Sequence, residues 1–415
     1  MIAQTPPMGW NSWDCYGAAV TEETVRANAE YMASFLKPYG WEYVVVDIQW
    51  SRANAKDHAY EPFADLTMDE FGRLTPALNR FPSAKDGAGF RPLADYVHSL
   101  GLKFGIHIMR GLPRLAAHHH LPIADSNGFC HLAADPHSIC AWNPDMYGLK
   151  CDTADAKAYY DSIFRLYASW GVDFVKCDDI AREYPHCRRE IELISDAVKN
   201  CGRDMVLSLS PGPAPLEQAE HLKANANMWR ITDDFWDDWA LLKGMFERAE
   251  KWCVHAAPGH WPDADMLPVG ALRQCENPND RTRFTPAEQR TMMTLWCMMR
   301  SPLMIGGELT KNDAFTLSLL TNSSVLEILK EGWCAHPLRT TDDESIWISP
   351  RQSGDGVWIA LFNLSGRRRS VSLSAEEADL TLFRGTELWT GRQVRKSGTL
   401  RAVLPPHDAA VFLLR

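Results

Sequence analysis

Two acidic segments carry the residue types that an acid–base reaction needs. Residues 176–179 read KCDD and residues 230–234 read RITDD, so each pair of aspartates follows a basic residue. A nearby positive charge keeps a carboxylate ionised by lowering its pKa. Two carboxyl groups that face one pocket are the minimum for hydrolysing a glycosidic bond. Aspartates also cap helices and pair with arginine, so the spacing alone leaves the catalytic and structural interpretations about equally open.

The elements that would position these segments follow a repeated pattern. An amphipathic helix, a glycine, a short apolar segment and a polar residue recur in that order through the first 210 residues. One predicted helix begins at Thr21, and the others span 92–100, 158–170 and 189–200. The apolar segments are 43–46, 104–106, 174–175 and 205–207, and they end near Asp47, His107, Lys176 and Ser208.

These apolar segments are continuous rather than alternating, which is typical of parallel strands buried on both faces. The pattern predicts a (β/α)8 barrel, whose active site lies at the C-terminal ends of the strands. A doubly wound open sheet is the alternative, although no glycine-rich nucleotide-binding motif follows the first strand. Residues 110–147 are predicted to form a loop that covers the mouth of the barrel.

The pattern changes after about residue 325. Short β-rich segments alternate with Gly, Ser, Asp and Pro, at 345–349, 357–362, 370–373, 386–389, 400–404 and 410–414. Regularly spaced short strands of this kind predict an antiparallel β-sandwich. We therefore expect a catalytic barrel over 1–325 and a C-terminal β-sandwich domain over 326–415.

Composition excludes several classes of protein. The chain has 415 residues and a net charge of −10, which disfavours nucleic-acid binding. No apolar stretch approaches the length of a membrane span, and the first residues lack the features of a secretory signal.

The eleven cysteines are scattered and odd in number, which predicts reduced thiols in a cytoplasmic protein; a secreted protein with a removed signal is the alternative. Sixteen tryptophans hint at stacking on sugars.

Six strings in the sequence resemble one known family. They are MGWNSW at 8–13, YVVVDIQW at 43–50, GLKFGI at 101–106, WPDADML at 261–267, SPLM at 301–304 and PPH at 405–407. In this order they resemble the melibiase-type α-galactosidases of glycoside hydrolase family 27, over nearly the whole chain. The resemblance implies a retaining exo-glycosidase that needs no cofactor and no metal. We expect the run of histidines at 118–120 to be a solvated loop.

The resemblance also implies which carboxyl groups react. The string KCD matches the family's nucleophile motif, so Asp178 is expected to attack the anomeric carbon. Arg230 followed four residues later by an acid matches the acid/base motif, which gives that role to Asp234. Retention requires the two carboxyl groups to lie about 5–5.5 Å apart.

Further residues are implied to bind the sugar. Trp10 would lie against the ring, Asp47 and Lys176 would bind hydroxyls on the 4-position side, and Arg230 those at positions 2 and 3. Asp265 would contact the sugar or hold Arg230. The alternative for Trp10 is a place in the barrel core.

The sequence departs from the family where specificity is set. Typical members have two adjacent aspartates where this chain has Asp47 and Ile48, and Ile48 cannot accept a hydrogen bond from a galactose 6-hydroxyl. β-L-Arabinopyranose shares the ring stereochemistry of α-D-galactose but lacks that hydroxymethyl group. His107 stands where the family usually has tyrosine, and Ser210 lies in the loop that reads the 2-substituent.

The function expected is hydrolysis of terminal α-D-galactopyranosides. β-L-Arabinopyranosidase and α-N-acetylgalactosaminidase activities are the alternatives within the family. Two interpretations come from other classes, a barrel that binds sugar without turnover and a metal-dependent hydrolase or isomerase. The expected partner is a galactoside or arabinopyranoside, with no nucleic acid and no membrane, and the resemblance allows a homo-oligomer.

Overall fold

The computed structural model describes residues 2–56 and 60–415, and its first part is a (β/α)8 barrel, as predicted. Eight parallel strands alternate with helices, and we number the strands in chain order: β1 Met8–Asn11, β2 Tyr43–Val46, β3 Lys103–Met109, β4 Phe174–Asp178, β5 Val206–Leu209, β6 Met228–Arg230, β7 Trp261–Asp263 and β8 Leu303–Ile305. The hydrogen-bonded order is β8-β1-β2-β3-β4-β5-β6-β7. The ring closes beyond β7, where the Leu267 amide donates to the Met304 carbonyl at 2.7 Å.

The four helices predicted in the first 210 residues begin and end within about four residues of the predicted positions, and further helices follow. The longer ones are Glu22–Tyr31, Arg91–Ser99, Ala154–Trp170, Arg188–Asn200, Ala219–Asn225, Trp239–Trp252, Pro286–Met299, Ala314–Leu320 and Ser323–Glu331. Thr21 caps the first helix by accepting a hydrogen bond from the Thr24 amide. Gly171 ends the third with φ +84°, a left-handed conformation that glycine adopts without steric cost.

The segment predicted as a loop at 110–147 has structure of its own. It contains the short helices Arg114–His118 and Cys130–Ala133 and strands of a small antiparallel sheet, formed by Leu112–Pro113, Ala134–Asp135 and Met146–Leu149. Strands of two to four residues carry too little periodicity to be detected in sequence. The segment does bring Trp142 to the barrel mouth.

The C-terminal part is the predicted antiparallel β-sandwich. Its strands are β9 His336–Thr340, β10 Glu344–Pro350, β11 Val357–Asn363, β12 Arg369–Ser374, β13 Phe383–Glu387, β14 Gln393–Lys396, β15 Thr399–Leu404 and β16 Ala409–Leu414. One sheet has the order β9-β10-β11-β16-β13-β14, and β12 pairs with β15 in the other. β9 and β14 could not be predicted from the sequence, because their half-buried and exposed residues show no apolar alternation.

The sandwich packs on the helix Pro286–Met299 of the barrel. Every residue from 291 to 299 is buried. Arg290 forms a two-point ion pair with Asp408, at 3.0 and 2.8 Å. The His407 ring stacks on Trp239, with centroids 3.7 Å apart. One apolar cluster extends from the barrel helices to Trp347, Trp358 and Phe362 of the sandwich.

The proposed boundary between residues 325 and 326 falls inside the helix Ser323–Glu331, and the division into two domains stays a prediction. Within residues 2–56 and 60–415, none of the helices is both long and apolar enough to cross a membrane. None of the eleven cysteines, all of which the structure describes, forms a disulfide, and Cys334 is the exposed one among them.

Candidate active site

A cavity of about 270 Å³ opens at the C-terminal ends of the barrel strands. Asp178 and Asp234 both line it, together with Trp13, Asp47, Ile48, Tyr60, Trp142, Lys176, Arg182, Pro211 and Asp233. The two predicted catalytic carboxyl groups therefore face one pocket. This is the edge at which parallel barrels place their reactive groups.

Asp178 is the last residue of β4 and is held at both carboxylate oxygens. The His107 ring donates from Nε2 to Oδ2 at 2.9 Å, and the Asp179 amide donates to Oδ1 at 2.8 Å. Burial by itself raises the pKa of Asp178, but the hydrogen bond from His107 and the charge of Lys176 outweigh burial and hold that pKa well below its usual range. Asp178 is therefore an ionised, oriented carboxylate, which is the form a nucleophile needs.

Replacing His107 by Phe tests this contact. Loss of the donated hydrogen bond raises the pKa of Asp178, so the nucleophile becomes protonated at a higher pH than in the parent protein. We expect the acid limb of the kcat/KM profile to move to higher pH. His107→Gln, which keeps a donor, serves as the control. An acid limb that stays in place in His107→Phe would contradict this role.

Asp234 lies on the loop after β6 at the rim of the cavity. Its side chain is 56% exposed, and its Oδ1 lies 3.1 Å from Nη2 of Arg230. The neighbouring Asp233 instead pairs with Arg182 at 2.8 Å. A carboxyl group open to solvent at the mouth of a pocket can exchange its proton with water, as an acid/base must.

Asp47 and Lys176 form a buried pair beside Asp178. Lys176 Nζ lies 3.0 Å from Asp47 Oδ2, which also accepts a 2.7 Å hydrogen bond from Asn11. Burial raises the pKa of Asp47, but Lys176 reverses the shift and lowers it. Burial lowers the pKa of Lys176, but Asp47 and Asp178 raise it above its usual value. Both groups are charged and lie in the cavity wall, as hydroxyl-binding residues should.

Arg230, Asp265 and Ser210 lie deeper than the main cavity. They line a narrow space of about 20 Å³ that shares Lys176 with it. Asp265 Oδ2 lies 2.7 Å from Arg230 Nη2 and accepts the Phe235 amide at 2.7 Å. Burial raises the pKa of Asp265 although Arg230 opposes the shift. This geometry fits an Asp265 that holds Arg230, while the buried Ser210 hydroxyl has no protein partner.

Of the two tryptophans in the string MGWNSW, Trp13 rather than Trp10 lines the cavity. Trp10 is fully buried in the barrel core, and its indole N–H donates to the Gly307 carbonyl at 2.9 Å. Trp10 lies within β1, whereas Trp13 follows the end of that strand and reaches the cavity. Trp10 therefore has the place in the barrel core that was the alternative for it, and Trp13 of the same string lines the cavity instead.

Ile48 lies in an apolar wall next to Asp47. It is 4% exposed and packs in one cluster with Met109, Cys140 and Met146. Trp13, Tyr60 and Trp142 pack against the same cluster. Tyr60 and Trp142 could not be predicted as lining residues, because neither belongs to a sequence motif.

A barrel with paired carboxyl groups in a sugar-sized cavity, followed by a β-sandwich, defines a glycoside hydrolase. The model of the family described as "Alpha galactosidase A" matches residues 5–155 and 144–331, and that of the α-galactosidase C-terminal β-sandwich domain matches 341–414. The chain therefore belongs to the α-galactosidase (melibiase) family, glycoside hydrolase family 27.

Three relatives illustrate the similarity. A family 27 β-L-arabinopyranosidase from Geobacillus stearothermophilus is 53% identical with a TM-score of 0.96, covering 99% of this chain and 96% of that one. A candidate α-N-acetylgalactosaminidase from Bacillus halodurans C-125 is 48% identical with a TM-score of 0.90, covering 100% and 98%. The α-galactosidase of Cyamopsis tetragonoloba is 29% identical over 100% of this chain and 87% of its own length.

Within the described ranges, no three His, Cys, Asp or Glu side chains are grouped so that they could hold a metal ion.

Proposed function

We propose that this glycoside hydrolase removes terminal β-L-arabinopyranosyl units with retention of configuration, and cleaves α-D-galactopyranosides more slowly. The observation that carries the proposal is Ile48, which occupies the cavity wall beside the hydroxyl-binding carboxylate Asp47. The arabinopyranosidase activity of the Geobacillus relative supports the same assignment.

The wall around Ile48 disfavours a hydroxymethyl group. Ile48 packs with Met109 and Met146, and the side chains against this cluster are aromatic. A galactose 6-hydroxyl directed at this wall would lose a hydrogen-bond partner, which costs about 1–3 kcal/mol. That corresponds to a preference of roughly 5- to 150-fold for the sugar that lacks the group.

The reaction needs two steps. Asp178 attacks the anomeric carbon while Asp234 donates its proton to the leaving oxygen, and a covalent glycosyl-enzyme forms. Asp234 then removes a proton from the incoming water, which displaces Asp178 and releases the sugar. The depressed pKa of Asp178 and the shared cavity support this division of roles. The separation of about 5–5.5 Å stays a prediction.

An N-acetyl group at position 2 has less support. The loop expected to read the 2-substituent contains Ser210, and Gly212 of the same loop is closely packed. A Cβ at Gly212 would lie 2.4 Å from the Thr232 carbonyl oxygen and 2.5 Å from that of Arg230. The glycine therefore permits two backbone segments to approach closely, and a side chain at this position would not fit.

The decisive experiment compares kcat/KM on p-nitrophenyl β-L-arabinopyranoside and α-D-galactopyranoside. We expect the arabinoside to be favoured, and Ile48→Asp to shift the ratio at least about tenfold toward galactose by restoring a hydrogen-bond acceptor. Ile48→Val, which keeps the wall apolar, should retain the parent preference. An Ile48→Asp variant with an unchanged ratio would refute the role of this side chain. NMR of the first-formed sugar tests retention.

We also propose a cytoplasmic location, which the eleven unbridged cysteines support. Self-association into a homo-oligomer and the lack of nucleic-acid or membrane partners remain predictions.

A further inference from the structure

We propose that Arg110 is a positioning residue for the nucleophile, because it clamps the backbone at 178–179 and so fixes the amide that orients the Asp178 carboxylate. This inference rests on the proposed role of Asp178. Arg110 lies immediately after β3, next to the strand that carries Asp178. It belongs to no motif that the sequence analysis identified.

Arg110 contacts the nucleophile's backbone from two directions. Its amide donates to the Asp178 carbonyl at 3.1 Å, which extends the pairing of β3 with β4. Its Nε donates to the Asp179 carbonyl at 2.7 Å. The peptide between these two carbonyls carries the Asp179 amide, which donates to Asp178 Oδ1 at 2.8 Å. A shift of this peptide would therefore rotate the reacting carboxylate.

The clamped residue has an unusual backbone conformation. Asp179 has φ +61°, in the left-handed region that is costly for most side chains. Such a conformation persists where surrounding contacts hold it. The Asp179 carboxylate lies 2.9 Å from Arg110 Nη2, and both side chains are 7% exposed. Arg110 thus binds the carbonyl and the carboxylate of the residue that needs support.

A second set of contacts fixes the guanidinium itself. Nη1 donates to Ser138 Oγ at 2.9 Å and lies 3.3 Å from Glu190 Oε2. The Tyr160 hydroxyl donates to the other oxygen of Glu190 at 2.5 Å and accepts the Gly111 amide at 2.7 Å. The planar guanidinium has enough donors to make all these contacts at once, whereas a lysine ammonium does not.

A simpler role is that Arg110 only neutralises the buried charge of Asp179. Two variants separate the roles, because glycine adopts the left-handed conformation freely and removes the carboxylate. If Arg110 acts on the backbone, Asp179→Gly alone loses less activity than Arg110→Met, and the double variant stays as slow as Arg110→Met. If Arg110 acts only on the charge, Asp179→Gly restores activity to Arg110→Met.

The experiment measures kcat and KM for Arg110→Met, Arg110→Lys, Asp179→Gly and Arg110→Met/Asp179→Gly. We expect Arg110→Met to lower kcat about 10- to 100-fold, because displacing a reacting group by about 1 Å costs up to about 10². KM should change less than about threefold. Arg110→Lys, which keeps the charge, should have a kcat between those of the parent protein and Arg110→Met. It provides the test if Arg110→Met does not fold. Melting temperatures confirm that each variant is folded.

Three outcomes would overturn the inference: an unchanged kcat in Arg110→Met, a loss confined to KM, or rescue by Asp179→Gly. If Arg110→Met does not fold, parent kcat in Arg110→Lys also overturns it. The loss should be the same for p-nitrophenyl and phenyl glycosides, because the nucleophile takes part whatever the leaving group. Labelling with an activated 2,2-difluoro glycoside separates a failure of this inference from a failure of the proposed function. A label on a residue other than Asp178 would refute the assignment of Asp178 as the nucleophile. Slower labelling of Asp178 in Arg110→Met than in the parent protein would support the positioning role of Arg110.

Discussion

Asp178→Asn should abolish hydrolysis, with kcat/KM falling on the order of 10⁴-fold or more, as expected for loss of a catalytic group that reacts directly. An amide cannot form the ester bond of the glycosyl-enzyme, although it has nearly the same shape and its one oxygen can still accept the hydrogen bond of the Asp179 amide. The fold should therefore survive. The measurement is kcat/KM on p-nitrophenyl β-L-arabinopyranoside with purified, folded protein.

The matched control is Asp179→Asn, since this adjacent side chain points to Arg110 rather than into the cavity. Its loss should be at least a hundredfold smaller. In Asp178→Gly, added azide should restore turnover of an activated substrate and give the glycosyl azide of inverted configuration, because the small anion replaces the missing nucleophile. Near-normal activity of Asp178→Asn would remove the assignment.

Asp234→Asn should have the second-largest effect, and the effect should depend on the leaving group. Removing a general acid costs about 10²- to 10⁴-fold where the leaving oxygen needs a proton. We expect a loss of this size in kcat/KM on phenyl β-L-arabinopyranoside and a much smaller one on the 2,4-dinitrophenyl glycoside.

Asp233→Asn is the control, because the Asp233 carboxylate pairs with Arg182 and stands one residue away. Its activity should fall less than that of Asp234→Asn and equally on both substrates. If Asp233→Asn instead showed the leaving-group dependence, the acid/base would be Asp233 rather than Asp234. Equal losses of Asp234→Asn on both glycosides would show that this group transfers no proton.

The barrel could be predicted because its signals are local. Continuous apolar strands such as Tyr43–Val46 and capped amphipathic helices repeat along the chain. The residue at the C-terminal end of each strand is then a candidate for the active site. Residues at the ends of barrel strands are expected at the active site, and this expectation and the family motifs together predict Asp47, Lys176 and Asp178. The structure places all three at one cavity.

Other parts of the site depend on contacts that no local pattern reveals. Trp142 lies at the cavity in a segment that forms a small sheet of very short strands, and Tyr60 belongs to no sequence motif. Trp10 and Trp13 stand in one string, and only the end of β1 determines which of them faces the cavity. Arg110 forms its ion pairs with residues about 70 and 80 positions away, so its function depends on the folded chain.

The packing of the sandwich on the helix Pro286–Met299 has a consequence for how the molecule melts. Apolar side chains of this helix are covered by β-sandwich residues within a continuous core, and Arg290 anchors the two parts through Asp408. A shortened chain that stopped before β9 would leave this covered surface in water, at about 25 cal/mol for each Å² uncovered. The barrel therefore depends for part of its thermal stability on its packing against the β-sandwich.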